Sequence, residues 1–249
     1  LPQPHIPGKG KTGSRKKSLI TTCEGGSLVY FAYTEASEQA LQGLRDLHAL
    51  KWYIVPLFML VVYIYARQIK QSRETGNWNP VLAALVLLGA DFFNETWNGW
   101  VFHLSNRSAV WTTPGDTALR VFVGWNIEII LTFALFGLVY YYMLLPDKER
   151  KILGVPNWWF FAILSAVLAV FIEVVLNAGG QLVWEYPWWN RSFAGIWLIF
   201  LVGYFYWFVL IIIMLDMKSV KNKLIFAGAI YAVPIIMNVI ALGILGWRY

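Results

Sequence analysis

Sulfur and imidazole are nearly missing from this chain: 249 residues carry one cysteine, Cys23, and three histidines, His5, His48 and His103. A single cysteine excludes an intrachain disulfide and any cysteine-built metal cluster. Three scattered histidines leave no HExxH and no Glu-x-x-His pair, the ligand patterns of zinc proteases and di-iron enzymes. Charge is scarce as well, at 14% of residues against about a quarter in soluble domains. No G-x-S-x-G elbow occurs, no Gly-rich phosphate loop, and no Ser or Cys beside a His in the apolar stretches, so nucleophilic hydrolysis and nucleotide chemistry lack their machinery. Hydrophobic residues fill the gap, at 58% of the chain and a mean hydropathy of +0.55.

Such a composition, with long apolar runs divided by short polar ones, describes an all-α polytopic membrane bundle. A spanning helix needs about 20 mostly apolar residues. Six segments qualify, near 52–67, 80–103, 118–144, 158–179, 195–216 and 223–246, with a short stretch around 18–33 as an alternative seventh. The chain therefore divides into an N-terminal arm with an interfacial helix over 1–50 and a transmembrane bundle over 51–249.

The net charge of +6 does not indicate nucleic acid, because the basic residues sit in a tail and in short loops beside apolar spans. Loop 67–79 holds Arg67, Lys70 and Arg73, loop 145–157 holds Lys148, Arg150 and Lys151, and loop 217–222 holds Lys218 and Lys221. The positive-inside rule places all three in the cytoplasm. It also puts the N-terminal tail on the opposite side, despite Lys9, Lys11, Arg15, Lys16 and Lys17. A targeting segment removed upstream reconciles this better than a seventh span, which Glu24, Gly25 and Gly26 would interrupt.

Residues 1–17 are rich in Pro, Gly and base and read as a flexible arm. In TEASEQALQGLRDLHALKWY, Thr34 stands as an N-cap, Glu38 follows, and Leu41, Leu44, Leu47 and Leu50 recur three apart. This pattern predicts one amphipathic helix at the membrane interface. Of the 14 tryptophans, Trp52, Trp78, Trp111, Trp184, Trp188 and Trp189 fall at span ends and read as interfacial belts. Trp97, Trp125, Tyr204 and Trp207 fall within spans and are candidates to wall a cavity.

Against this background the intramembrane acids stand out: Asp91 and Glu95 in the second span, Glu128 in the third, Glu173 in the fourth. An Asp at a helix centre costs about 2.5 to 3.5 kcal/mol even on insertion scales, so such residues face inward, pair or share protons, and mark function by default. On the second span Asp91, Asn94, Glu95 and Asn98 lie within a stripe of roughly 100°. On the fourth, Glu173 and Asn177 are one turn apart, with Gln181 beyond. On the third, Asn126 and Glu128 are too close in sequence to share a helix face, and Glu128 is taken as the inward one. At about 1.5 Å rise per residue, Glu95, Glu128 and Glu173 are expected within a turn of one level in the outer half of the membrane. Close carboxylates in low dielectric cannot all ionise, so at least one holds a proton near neutral pH.

A hard ion on Asp91, Glu95, Glu128 and Glu173 is the metal alternative. The shortage of histidine disfavours it, and no metal or cofactor is expected. What remains is acid–base work by carboxylates in an aromatic-walled cavity, where a protonated acid starts an alkene or epoxide reaction, aromatic faces stabilise a transient cation and a second carboxylate removes a proton.

The stretch Pro80-Val81-Leu82-Ala83-Ala84-Leu85 through Gly89-Ala90-Asp91, entered from a basic loop, resembles the second span of membrane-bound meroterpenoid cyclases. There a proline opens the span and an acid follows a glycine about three turns later. The resemblance covers about a dozen residues. It implies a small, all-helical, metal-independent isoprenoid enzyme with acids on separate helices, and it matches Asp91 to the first of those acids. Ala90 stands where those enzymes have an aromatic residue.

The leading expectation is an integral membrane enzyme of lipid or isoprenoid metabolism, a cyclase or isomerase. Its catalytic acids are Asp91, Glu95, Glu128 and Glu173, and its substrate contacts are Asn94, Asn98, Trp97, Trp125, Asn126, Asn177, Gln181, Tyr204 and Trp207. Its partners are the lipid substrate and membrane lipids, with partner subunits as a further option. The same acids also suit a proton- or cation-coupled transporter or channel, with Gly179-Gly180 as a break in the fourth helix. A non-catalytic subunit of a membrane complex is the third reading.

Overall fold

The computed structural model describes residues 33–249. The basic arm and most of the alternative seventh span lie outside the described residues. In chain order the elements are α1 (Glu35–Gln42), a 3-10 turn (Leu47–Ala49), α2 (Ile54–Thr75), α3 (Asn79–Ser105), β1 (Trp111–Thr112), β2 (Arg120–Phe122), β3 (Trp125–Asn126) and α4 (Ile127–Met143). There follow β4 (Lys151–Ile152), β5 (Val155–Pro156), α5 (Asn157–Ala178), β6 (Val183–Trp184) and α6 (Phe193–Leu198). A π-helical turn, Ile199–Phe205, carries α6 into α7 (Tyr206–Asp216), and α8 (Val220–Asn238) runs into a second π turn, Val239–Ile244.

The long rods make an all-α membrane bundle. Asn157–Ala178, Phe193–Asp216 and Val220–Ile244 are long and apolar enough to cross a membrane, and α4 is a shorter apolar helix. Their outward faces carry exposed Phe171, Ile225, Ile235 and Ile236, as suits helices whose solvent is hydrocarbon.

α3 is the hub, packed against α2, α4, α7 and α8. Pro80 opens it, where a missing N–H costs nothing, and Asn106 ends it in the left-handed region at φ 50°. Small residues let its neighbours approach. A Cβ on Gly137 of α4 would lie 2.5 Å from Ala84 Cα and 2.6 Å from the Ala83 carbonyl oxygen, so the α3–α4 contact exists only because that side chain is absent. Leu82, Val86, Tyr140, Trp207, Phe208 and Ile211 fill the core between α3, α4 and α7.

The three basic loops gather at one end of the bundle. Asn77 Nδ2 donates to Tyr141 Oη at 3.0 Å, Lys148 Nζ pairs with Asp216 Oδ1 at 2.9 Å, and Lys223 Nζ donates to Asn79 Oδ1 at 2.6 Å. The first of these loops is shorter than expected, because α2 continues through Arg67, Lys70 and Arg73 to Thr75 before Gly76 turns the chain at φ 73°.

At the other end a small cap replaces what the sequence suggested. The helix expected over 34–53 stops after eight residues at Gly43. Leu47 and Leu50 of the leucine row are exposed, and Thr34 donates its hydroxyl to Glu185 instead of capping the helix. α1 is held to the cap by Thr34 N to Arg107 O at 3.1 Å and Arg45 N to Arg120 O at 2.8 Å. The third span likewise begins at Ile127 rather than near 118. Residues 120–126 form the β2–β3 ladder, in which Arg120 spends its guanidinium on the carbonyls of Thr113, Gly115 and Ala40. A second ladder of the cap, β1–β6, pairs Trp111 with Trp184 and Thr112 with Val183.

Candidate functional site

A cleft of about 630 Å³ opens between α4 and α5 and reaches inward to α3. Its side walls are apolar, with Phe136 and Val139 from α4 facing Leu168 and Ile172 from α5. Val139, Leu168 and Ile172 are each about half exposed on the lipid-facing surface, so the cleft communicates sideways with the membrane. Its inner end is acidic, lined by Asp91, Glu95 and Glu173, with Asn94, Gly203 and Tyr204 beside them.

Each of the three acids is buried, at 3–5% exposure, and each is held by a tryptophan of the cap. Trp125 Nε1 donates to Asp91 Oδ2, Trp111 Nε1 to Glu95 Oε1 and Trp184 Nε1 to Glu173 Oε1, all at 2.8 Å. The strand pairing explains two of these contacts. Trp111 and Trp184 are direct partners in the β1–β6 ladder, and residues opposite each other in an antiparallel pair project to one face. One two-residue ladder thus aims two indoles into the bundle, at Glu95 on α3 and Glu173 on α5. β3 delivers Trp125 to Asp91 in the same way.

The surrounding groups hold this arrangement in place. Asn98 Oδ1 accepts from Val110 N at 2.7 Å and its Nδ2 donates to Trp111 O at 2.9 Å, which fixes β1 over α3. Trp111 is also packed against Trp97, edge-on at 5.1 Å, and against Trp189, stacked at 5.3 Å. Asn94 Oδ1 accepts from Trp97 Nε1 at 2.9 Å and Tyr206 Oη at 2.7 Å, while Nδ2 donates to Gly203 O at 2.9 Å. That last bond ties α3 to the π-helical turn, a local widening frequent at functional sites, and the turn brings Tyr204 to the acids.

Glu95 is the least satisfied of the three. Its Oε2 is buried with no partner among the described residues. Gly124 lies directly over it, where a Cβ would come within 2.7 Å of that oxygen. Glu95 is within charge–charge range of both Asp91 and Glu173, and Tyr204 and Trp189 also face Glu173.

Nine of the expected site residues line the cleft: Asp91, Asn94, Glu95, Asn126, Glu128, Glu173, Gln181, Tyr204 and Trp207. Asn98, Trp97, Trp125 and Asn177 stand behind the lining and position it. Asn177 holds the α5–β6 turn through Leu182 O at 3.0 Å and accepts from Arg191 at 2.8 Å.

Glu128 departs from its expected depth. It sits in the first turn of α4, where Tyr53 Oη and Ala118 N donate to Oε1 at 2.5 and 2.7 Å and Thr117 Oγ1 donates to Oε2 at 2.5 Å. With both oxygens engaged by cap groups, it anchors the rim. Asn126 and Glu128 both border the cleft. Asn126 precedes the helix, in β3, and caps α4 through Ile129 N at 2.9 Å, so helical periodicity does not govern the pair. The glycine pair after Asn177 ends α5 at Ala178, with Gly180 at φ 76°, rather than interrupting it.

Sequence reasoning missed Trp111, Trp184 and Trp189 as site residues, because tryptophans at span ends are explained by interfacial belts. Among the described residues, no group of three acid, histidine or cysteine side chains is arranged to hold a metal ion.

A family model described as an uncharacterized membrane protein family matches residues 34–243. An uncharacterized protein of Archaeoglobus fulgidus is 39% identical over 214 residues, covering 86% of this chain and 99% of that protein. No solved structure matches. The matching family is not described as one of cyclases.

Proposed function

The chain belongs to an uncharacterized membrane protein family, and from that premise we propose that it is an integral membrane enzyme performing carboxylate acid–base chemistry on an isoprenoid or other lipid. The observation that carries this reading is the trio Asp91, Glu95 and Glu173, each fixed by an indole N–H at the blind end of an apolar cleft open to lipid. Interhelical glue needs amides and hydroxyls; it does not need three buried acids facing a cavity. A volume of about 630 Å³ falls within the ~300–1,000 Å³ of small-molecule sites.

In this reading Asp91, holding a proton, delivers it to one carbon of a substrate alkene. The positive charge that develops faces the indoles of Trp111 and Trp189, whose quadrupoles favour it. Glu173 then removes a proton from a neighbouring carbon, so the product is an isomer of the substrate. Glu173 then loses its proton to water and Asp91 regains one from water, with Glu95, in range of both acids, relaying between them. Lipids from cells making wild type, Asp91→Asn and Glu173→Gln are compared by chromatography and mass spectrometry. A product of unchanged mass and altered retention is expected with wild type alone, since a general acid contributes about 10²–10⁴-fold. Equal product from variants that insert normally contradicts the proposal.

Proton- or cation-coupled transport is the second reading. The unpartnered Glu95 oxygen and the π turn beside it favour it, because intramembrane acids form ion paths. Proteoliposome flux that Glu95→Gln abolishes, without any lipid conversion, selects this reading over the first.

A further inference from the structure

The loop joining α4 to α5 turns on a residue that its geometry disfavours. β4 and β5 pair Lys151 with Pro156 and Ile152 with Val155, which leaves Leu153 and Gly154 as a two-residue turn. Both have positive φ, at 50° and 84°, the backbone of a hairpin turn that suits Asn-Gly or Gly-Gly. In a leucine the Cβ crowds the following carbonyl oxygen there. The side chain gains no packing in return: Leu153 is 90% exposed, and a Cβ on Gly154 beside it would meet nothing within 4 Å. A bulky apolar residue kept strained and bare points to a contact made outside the chain.

Position and charge name that contact. The hairpin runs directly into α5, a helix long and apolar enough to cross a membrane, whose first turn carries Trp158 and Trp159, aromatic residues of the kind that sit at a membrane surface. Leu153 precedes that helix by only four residues, at most roughly 13 Å of extended chain, so the tip is within reach of the bilayer. Ile152 and Val155 beside it are half-buried, while Arg150 and Lys151 next along are exposed. Among the described residues neither of these cations is in an ion pair, whereas Lys148 is held by Asp216 at 2.9 Å. That pair brings the 217–222 loop alongside, with Lys218 and Lys221 exposed. The acids Asp147 and Glu149 stand earlier in the loop, where Asp147 Oδ1 accepts from Glu149 N at 3.0 Å. An apolar tip flanked by free cations complements an anionic leaflet, hydrocarbon for the one and phosphate for the others.

We infer that the β4–β5 hairpin is a lipid-binding surface: Leu153 inserts into the leaflet at the basic end of the bundle, and Arg150 and Lys151 bind the phosphates of anionic lipids there. The strained turn holds the leucine outward at the tip, where an asparagine would relax the backbone and lose the insertion. Because the hairpin joins α4 to α5, the contact ties both side walls of the cleft to that leaflet.

Two measurements on the full chain in nanodiscs of mixed phosphatidylcholine and phosphatidylglycerol test this. In a Cys23→Ser background, an environment-sensitive fluorophore is placed on Leu153→Cys or, as a control in the same loop, on Glu149→Cys, and quenched by lipid carrying a nitroxide on its acyl chain. Quenching several-fold stronger at 153 than at 149 is expected. Equal quenching at the two positions, or a label at 153 that stays in water as it would if the tip served a soluble partner, overturns the inference. With Leu153 intact, native mass spectrometry then counts the phosphatidylglycerol retained when the chain is released from the nanodisc. Arg150→Gln with Lys151→Gln lowers the affinity for that lipid about twentyfold, roughly fivefold for each cation, and Leu153→Asn, which suits the turn better, lowers it too. Retention that either variant leaves unchanged contradicts the assignment.

Discussion

At the scale of single residues, three acids and three tryptophans carry the account. The acids were legible because a carboxylate in an apolar run is expensive enough to demand a reason, and the stripe Asp91, Asn94, Glu95, Asn98 follows from helical spacing alone. Their partners were not. Trp111 and Trp184 are 73 positions apart and meet only through a two-residue ladder, which no periodicity announces, and each has an adequate explanation as an interfacial tryptophan. Trp111→Phe keeps an aromatic ring, smaller than the indole, and removes the N–H that Glu95 Oε1 accepts. We expect a loss of about 1–3 kcal/mol in stability, read by thermal unfolding in nanodiscs, with Trp184→Phe acting the same way through Glu173. If Trp111→Phe unfolds at the wild-type temperature, the indole does not fix Glu95.

At the scale of elements, the long rods followed from hydropathy, while the cap did not. Residues 118–125 are rich in aromatic and aliphatic side chains, so an apolar count extends the third span through them. What removes them from the helix is backbone pairing across β2 and β3 and the commitment of Arg120 to three carbonyls, both long-range facts. The short α1 has the same cause: Gly43 ends it, and Leu44 and Arg45 pair with Arg120 instead of extending the leucine row. The α3–α4 contact makes a firm prediction. Gly137→Ala gains helix propensity but drives a methyl into the Ala83–Ala84 backbone, so a net loss of about 1–3 kcal/mol is expected, seen as a lower unfolding temperature; a neutral or stabilising effect contradicts the packing. At the base of α2, Lys51 Nζ reaches Asp116 Oδ2 at 2.5 Å and, by that hydrogen bond, holds the Asp116 carboxyl below its ordinary range. A depressed acid stabilises above the unfolded value of about 3.9, and this contribution is lost as pH falls through the lower folded value. The unfolding temperatures of wild type and Asp116→Asn therefore differ slightly at pH 7, since the pair is exposed, and converge at pH 2. A difference that grows toward pH 2 has the wrong sign for this pair.

At the scale of the whole molecule, the bundle has two unlike ends, basic loops at one and the tryptophan-bearing cap at the other, with the acids of the cleft reaching toward the cap. If the basic end is cytoplasmic, as the positive-inside rule has it, then in a Cys23→Ser background Lys148→Cys is labelled by an impermeant maleimide only from the cytoplasmic side and Asp116→Cys only from the opposite side. The reverse pattern inverts the protein and with it the side from which the rim of the cleft is reached. The central claim is that the trio moves protons to and from a lipid, and hydrogen exchange reads that event whatever the product. Purified protein, reconstituted with the lipid that accompanies it, is incubated in deuterated water and the lipid is analysed by mass spectrometry. Deuterium on carbon is predicted with wild type, falling by about 10² or more in Asp91→Asn. No incorporation, or the same incorporation in wild type and variant, contradicts the account.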